Sequence, residues 1–132
     1  MTDVPSSSLW RVLADIPNWS VWDEDIEFTQ IAGLPQLGSK FVLKPKGAPS
    51  VKLTIEEFVP PHRFIDVTQF PFAQMRTVHE FIDTAAGTEI QVTVQVRGIL
   101  GFLWQRMIAQ KQVDGLPEQI LRFIQLAREF AA

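Results

Sequence analysis

In the middle of the chain, from residue 24 to residue 97, apolar and polar positions alternate with a period of two. The alternation is clearest at Ile90, Val92, Val94 and Val96, which are separated by Gln, Thr and Gln. This pattern is typical of strands with one buried face and one wet face. It predicts six strands, at residues 26–29, 40–44, 51–56, 62–70, 73–83 and 88–97. Because the connections are short, we expect consecutive strands to pair antiparallel as a meander.

At both ends of the chain the spacing becomes helical. Near the N-terminus, Leu9, Trp10, Val12 and Leu13 predict a short helix, and a second helical turn carries Trp19 and Trp22 after Pro17. The two short helices therefore precede the sheet.

From residue 100 to the C-terminus, the pattern predicts one long amphipathic helix. Pro117 lies inside it, and we expect a kink or break near Asp114 because proline removes a backbone donor and clashes with the preceding turn. The apolar stripe of this helix comprises Leu100, Trp104, Ile108, Leu116, Ile120, Phe123, Ile124 and Ala127.

These elements predict an α+β fold, in which a curved antiparallel sheet of six to seven strands wraps around the long C-terminal helix. The length of 132 residues and the 46% hydrophobic content fit a single domain over residues 1–132 with a sizeable core.

Composition excludes several classes of function. The net charge of −3, with scattered Lys and Arg, disfavours nucleic acid binding, and the absence of Cys removes disulfides and thiolate chemistry. There is no apolar run long enough to span a membrane and no secretory leader, so we expect a soluble, cytoplasmic protein. The two histidines lie far apart and no glycine-rich phosphate loop occurs, so we expect neither a metal nor a cofactor.

Several short strings with characteristic order and spacing are spread over nearly the whole chain. They are Leu9–Asp15, Asn18-Trp19, Val21-Trp22-Asp23, Pro60–Phe64, His79-Glu80-Phe81, Gly87–Ile90 and Val96-Arg97-Gly98. Together they resemble the bacterial polyketide cyclase/dehydrase and lipid-transport family of the START-like (SRPBCC) superfamily, which shares the helix-grip fold of the birch pollen allergen. The resemblance implies a hydrophobic pocket between the concave face of the sheet and the long helix, but no particular reaction.

One departure from the family concerns the first strand, which normally closes the sheet by pairing with the last strand. Here only four residues precede Pro5, so we expect that strand to be missing or reduced to a stub. The 88–97 strand would then expose a row of backbone groups that invites another chain. We expect either a homodimer through this open edge or a true start upstream of Met1.

His79 is the leading candidate for chemistry, because alternation places it on the cavity face with Met75, Thr77 and Phe81. There it can act as a general acid or base, or it can be a core histidine bonded to a neighbour. The sequence does not decide which side chains of the 63–70 strand point to the cavity. If Asp66 points inward, it can pair with His79, and otherwise it is solvated.

The remaining predicted ligand-binding positions are Thr77 and a set of apolar residues on the inner faces of the strands and helices, with Trp104 the tryptophan most expected to face a ligand. Plain core packing is the alternative for each of them. They are Trp19, Trp22, Phe41, Leu43, Leu53, Ile55, Phe64, Met75, Thr77, Val92, Val94, Trp104, Met107, Ile108 and Ile120.

Three functions fit this sequence. The leading interpretation is a non-catalytic carrier or sensor of a small hydrophobic molecule such as a lipid, a polyketide-like aromatic or an isoprenoid. The second is a cyclase or dehydratase that uses His79, with or without Asp66. The third is a protein-interaction module that uses the long helix or the open sheet edge.

Overall fold

The computed structural model describes residues 2–70, 72–98 and 110–131, and in the last range it describes the side chains of residues 117–129. Helix α1 (Ser6–Ala14) and a 3₁₀ helix (Ile16–Val21) precede six strands, and helix α2 (Gln110–Ala131) follows them. The strands are β1 (Ile26–Ile31), β2 (Lys40–Pro45), β3 (Val51–Val59), β4 (Arg63–Phe70), β5 (Ala73–Thr84) and β6 (Gly87–Gly98).

The six strands form one antiparallel sheet in the order β1-β2-β3-β4-β5-β6, which confirms the predicted meander. Directly opposite residues in such a sheet point to the same face. Phe64 lies opposite His79, and Asp66 lies opposite Thr77. The register therefore decides the orientation of β4 that the sequence left open, because Phe64 is part of the core and so Asp66 also points to the inner face.

The inner face of the sheet is the face on which the helices pack. α1 buries Leu9, Val12 and Leu13 against it, and α1 also contacts α2. From α2, Phe123 and Ala127 join the same core. The helical stripes predicted from 3.6-residue spacing thus meet the inner positions of the strands, and the α+β helix-grip architecture is confirmed.

Among the described residues, the chain preceding α1 pairs with β6 at a single bridge between Thr2 and Thr88. The backbone N–H of Thr2 donates to the Thr88 carbonyl at 2.9 Å, and the Thr88 N–H donates to the Thr2 carbonyl at 2.7 Å. Gly87, with φ of 143°, permits this approach because a Cβ there would collide with the Thr2 carbonyl oxygen.

Of the kink or break expected near Asp114, the break does not occur, since α2 is helical without interruption through Pro117. Pro117 is the eighth residue of this helix. The residues that follow Pro117 pack against α1 and the core of the sheet, and the helix continues through the proline. The predicted start of the helix at residue 100 lies outside the described residues.

Candidate ligand-binding site on the inner face of the sheet

Large rings fill one part of the inner face. Trp10 makes edge contacts with Phe58 and Phe64 at ring-centroid distances of 5.1 and 6.1 Å, and Trp19 does so with Phe41 at 5.4 Å. Such offset and edge arrangements add to the stabilisation from burial. We call this set the aromatic core; it consists of Trp10, Trp19, Trp22, Phe41, Phe58, Phe64, Phe81 and Phe123.

Several predicted ligand-binding residues are committed to this packing. The Trp19 indole N–H donates to the Leu13 carbonyl at 2.8 Å, and Trp22 packs on Phe123 with ring centroids 5.0 Å apart. The indole nitrogen of Trp22 has no hydrogen-bond partner among the described residues. The predicted positions that belong to the buried core are Trp19, Trp22, Phe41, Leu53, Ile55 and Phe64, with Leu43 partly buried against them.

A second part of the inner face is polar and lies on β4 and β5. The buried residues Asp66, Thr68 and Thr77 lie there beside the partly buried His79. We call these four residues the Asp66 cluster. The register places them together, because Asp66 faces Thr77 across the two strands and His79 is one diagonal step away.

His79 and Asp66 are in contact, as the sequence suggested for an inward-facing Asp66. The distance from His79 Nδ1 to Asp66 Oδ2 is 4.0 Å, which is within ion-pair range but too long for a direct hydrogen bond. Burial raises the pKa of Asp66 to about 7. Burial also lowers the pKa of His79 to about 4, partly offset by its hydrogen bond to Phe64. His79 is therefore neutral at pH 7, and the contact is not a conventional salt bridge.

The neighbours of His79 determine which of its ring nitrogens carries the proton. Nδ1 lies 3.2 Å from the Phe64 carbonyl oxygen, which can only accept a hydrogen bond. We assign the proton of neutral His79 to Nδ1 on this basis, which leaves the lone pair on Nε2. The His79 ring also packs edge-on against the Phe64 ring at 5.7 Å, so His79 stands at the border between the aromatic core and the Asp66 cluster.

Thr77 contributes an unused polar atom to the cluster. Its side-chain oxygen is buried and has no hydrogen-bond partner among the described residues. A buried hydroxyl in this state costs about 1–3 kcal/mol, and native structures rarely leave one without a partner.

Next to the cluster, the inner face of β6 is incompletely covered. Val92, Val94 and Val96 lie opposite His79, Thr77 and Met75, and all three valines are only partly buried. The sequence predicted one buried and one wet face here, and the three valines are partly buried while Gln91, Thr93 and Gln95 between them are exposed. The helices described here cover Phe64 and Phe81 on neighbouring strands but leave this part of β6 partly accessible.

Other predicted positions are distributed as follows. Ile120 lies on α2 and is partly buried, whereas Trp104, Met107 and Ile108 lie outside the described residues. Thr68 and Val96 share the site but were missing from the predicted set, although alternation along their strands already placed them in phase with Asp66 and Val94.

A separate groove of about 500 Å³ lies at the outer end of the sheet, near the turn between β3 and β4. Its lining includes His62, whose side chain is 49% exposed. His62 Nδ1 lies 2.9 Å from the Phe81 carbonyl, and its Nε2 lies 3.7 Å from the Asp83 carboxylate. The groove is distinct from the Asp66 cluster, and it is lined by Glu57, Val59, His62, Arg63, Glu80, Phe81, Ile82 and Asp83.

Two further observations concern only the part of the chain that the structure describes. Its helices include none that is both long and apolar enough to cross a lipid bilayer. Its His, Asp and Glu side chains form no group of three or more suited to hold a metal ion.

Comparison with known proteins gives a consistent result. A profile of the family described as "Polyketide cyclase / dehydrase and lipid transport" matches residues 2–122. No curated protein matches the chain.

Solved structures share the fold at low sequence identity. TTHA0849 from Thermus thermophilus is 10% identical, with a TM-score of 0.73 over 98% of this chain and 94% of that one. SA2116 from Staphylococcus aureus, a protein of unknown function, is 9% identical, with a TM-score of 0.73 over 99% and 91% of the two chains. The di-domain ARO/CYC StfQ from the steffimycin biosynthetic pathway is 13% identical, with a TM-score of 0.70 over 98% of this chain and 48% of that one.

Proposed function

Because the chain belongs to the polyketide cyclase/dehydrase and lipid transport family, we propose that it binds a small hydrophobic molecule on the inner face of its sheet, beside the Asp66 cluster. The observation that carries this proposal is the contrast on that face. The aromatic core is filled by its own side chains, whereas the β6 valines beside the cluster stay partly accessible. Apolar ligands gain about 25 cal/mol for each Å² of surface that they remove from water.

The proposed site has a mixed lining that suits such a ligand. Met75, Val92 and Val94 supply apolar surface, and the Asp66 cluster supplies a few convergent polar groups. Ligand sites in proteins commonly combine these two features. We propose a carrier or sensor, located in the cytoplasm, as the function that this arrangement serves.

A binding experiment with a filled site tests the proposal. Nile red, an uncharged apolar dye, serves as the probe, and its fluorescence reports the affinity. Val94→Phe places a ring on the inner face of β6, and we expect it to weaken dye binding about tenfold or more. Thr93→Phe is the matched control, because Thr93 is exposed on the opposite face of the same strand.

Two results would refute a binding site at this position. One is a folded wild-type protein that does not bind Nile red. The other is equal weakening by the two phenylalanine variants, which would place the dye elsewhere, for example in the groove beside His62.

A second candidate function, a dehydratase, is favoured by the contact between Asp66 and His79. In a β-hydroxy ketone, His79 Nε2 would take a proton from the carbon between the two oxygen-bearing carbons. Protonated Asp66 would give its proton to the hydroxyl, which leaves as water while the carbon–carbon double bond forms. The proton on His79 then returns to Asp66, so both groups are restored.

The carrier and the dehydratase predict different results with 4-hydroxydodecan-2-one. The dehydratase converts it to the conjugated enone, whose ultraviolet absorbance rises with time, and His79→Gln abolishes that rise. The carrier binds the same compound unchanged. We expect binding without enone formation. Enone formation that depends on His79 would instead show that the protein is a dehydratase and would refute the carrier function.

A further inference from the structure

The Asp66 cluster indicates the chemistry of the ligand. We propose that the ligand carries an uncharged hydrogen-bonding group, a carbonyl or a hydroxyl, and that this end lies on the inner face over β4 and β5, against the side chains of Asp66 and Thr77. This inference rests on the proposed function and assigns the polar end of that ligand.

The first step of the argument is geometric. Asp66 and Thr77 face each other across β4 and β5, with 4% and 3% of their surfaces exposed. The Thr77 hydroxyl is nevertheless without a partner among the described residues, so the two side chains do not satisfy each other. An oxygen placed between them can accept from Thr77 and from the protonated Asp66, or a hydroxyl there can donate to either one.

The second step concerns charge. Alternation along β4, β5 and β6 directs the positively charged residues Arg63, Arg76 and Arg97 to the outer face. On the inner face of these three strands, the described residues therefore include no cation to neutralise a carboxylate. A ligand carboxylate beside the buried Asp66 would repel it or compete with it for one proton, whereas a carbonyl or hydroxyl incurs no such penalty.

The test compares three ligands of equal chain length: dodecanol, dodecan-2-one and dodecanoate. Each competes with Nile red for the wild-type protein at pH 6, where the free carboxylate is ionised and Asp66 is mostly protonated. We expect dodecanol and dodecan-2-one to displace the dye at concentrations about tenfold or more below that of dodecanoate. Equal displacement by all three would overturn the inference and leave the proposed binding function intact.

Two isosteric variants identify the groups responsible. Thr77→Val removes the hydroxyl and keeps the shape, so we expect the advantage of dodecan-2-one over dodecanoate to shrink several-fold. Asp66→Asn removes the ionisable group, so dodecanoate should bind more tightly than it does to the wild type. If both variants still prefer dodecan-2-one over dodecanoate as strongly as the wild type does, residues other than Asp66 and Thr77 bind the polar end and the inference is wrong. Failure of Nile red itself to bind would instead refute the proposed function.

Discussion

The aromatic core and the Asp66 cluster occupy the same face of the same sheet, yet their side chains are used in opposite ways. Phe64 and Trp10 fill the space between α1 and the sheet and contact each other. Asp66 and Thr77 lie next to Phe64 on this face and are about as deeply buried, but they make few polar contacts among the described residues. The first region has the properties of a stabilising core. The second carries an energetic cost that a ligand can relieve, which is typical of a functional site.

The largest effect is expected in the aromatic core. Phe64 is fully buried and packs against Trp10, Trp19 and Phe58, so Phe64→Ala should lower the free energy of unfolding by about 3–5 kcal/mol. Phe72→Ala is the matched control, because Phe72 is 74% exposed and its truncation should change stability by less than about 0.5 kcal/mol. Urea denaturation measures both variants. Equal losses would mean that the rings of the core do not dominate stability.

In the Asp66 cluster, the corresponding effect depends on pH. The raised pKa of Asp66 means that the folded state binds its proton more tightly than the unfolded state does. As the pH rises from about 4 to about 7, Asp66 therefore lowers the free energy of unfolding by roughly 4 kcal/mol in total, whereas below about pH 4 this loss is absent. Asp66→Asn does not ionise, so its stability relative to the wild type should rise by that amount between pH 4 and pH 8.

Comparing the variant with the wild type at each pH isolates Asp66 from other titrating groups. Asp23 is the important one, because burial raises its pKa to about 6 and its contribution has the same sign. It is present in both proteins and cancels in the difference. A difference between Asp66→Asn and the wild type that stays constant from pH 4 to pH 8 would contradict the buried, proton-binding Asp66.

His79 should show the opposite dependence. Its pKa is lowered by burial, so between about pH 4 and 6.5 the unfolded state binds more protons and the stability of the fold rises with pH. Below pH 4, the buried His79 lowers the free energy of unfolding by roughly 3 kcal/mol, and His79→Gln should abolish this loss. The stability of His79→Gln relative to the wild type should therefore fall as the pH rises from 4 to 6.5. In the wild type, the slopes from Asp66 and His79 largely offset each other across this window.

The sequence predicted the strand order more completely than it predicted how the inner face is used. Trp19, Trp22, Phe41 and Phe64 pack in the aromatic core, whereas the sequence favoured ligand binding for them, with core packing as the alternative. Strict alternation identified β5 and β6, and helical spacing identified α1 and most of α2. In β4, however, Ile65 and Val67 are buried on the outer face while Phe64 and Asp66 are buried on the inner one. A central strand covered on both sides has no clean alternation, so its facing had to come from the register.

Other features depend on tertiary context in a similar way. Pro117 breaks a helix by its intrinsic propensity, and the continuity of α2 reflects packing that local sequence does not encode. The partial exposure of the β6 valines depends on where the helices end relative to the sheet. The lack of a partner for the Thr77 hydroxyl among the described residues depends on neighbours in three dimensions, so no pattern along the chain could have predicted it.

The smallest predicted effect distinguishes the two uses of a buried threonine. Thr29 is buried and its hydroxyl donates to the Ile16 carbonyl at 2.5 Å, so Thr29→Val should destabilise the protein by about 1–2 kcal/mol. Thr77→Val is the same substitution at a buried hydroxyl without a partner among the described residues, so it should stabilise the ligand-free protein by up to about 1 kcal/mol. Thermal unfolding of both variants measures this opposition of sign. If Thr77→Val destabilises as much as Thr29→Val, the Thr77 hydroxyl is already satisfied within the fold and has no bonding capacity left for a ligand.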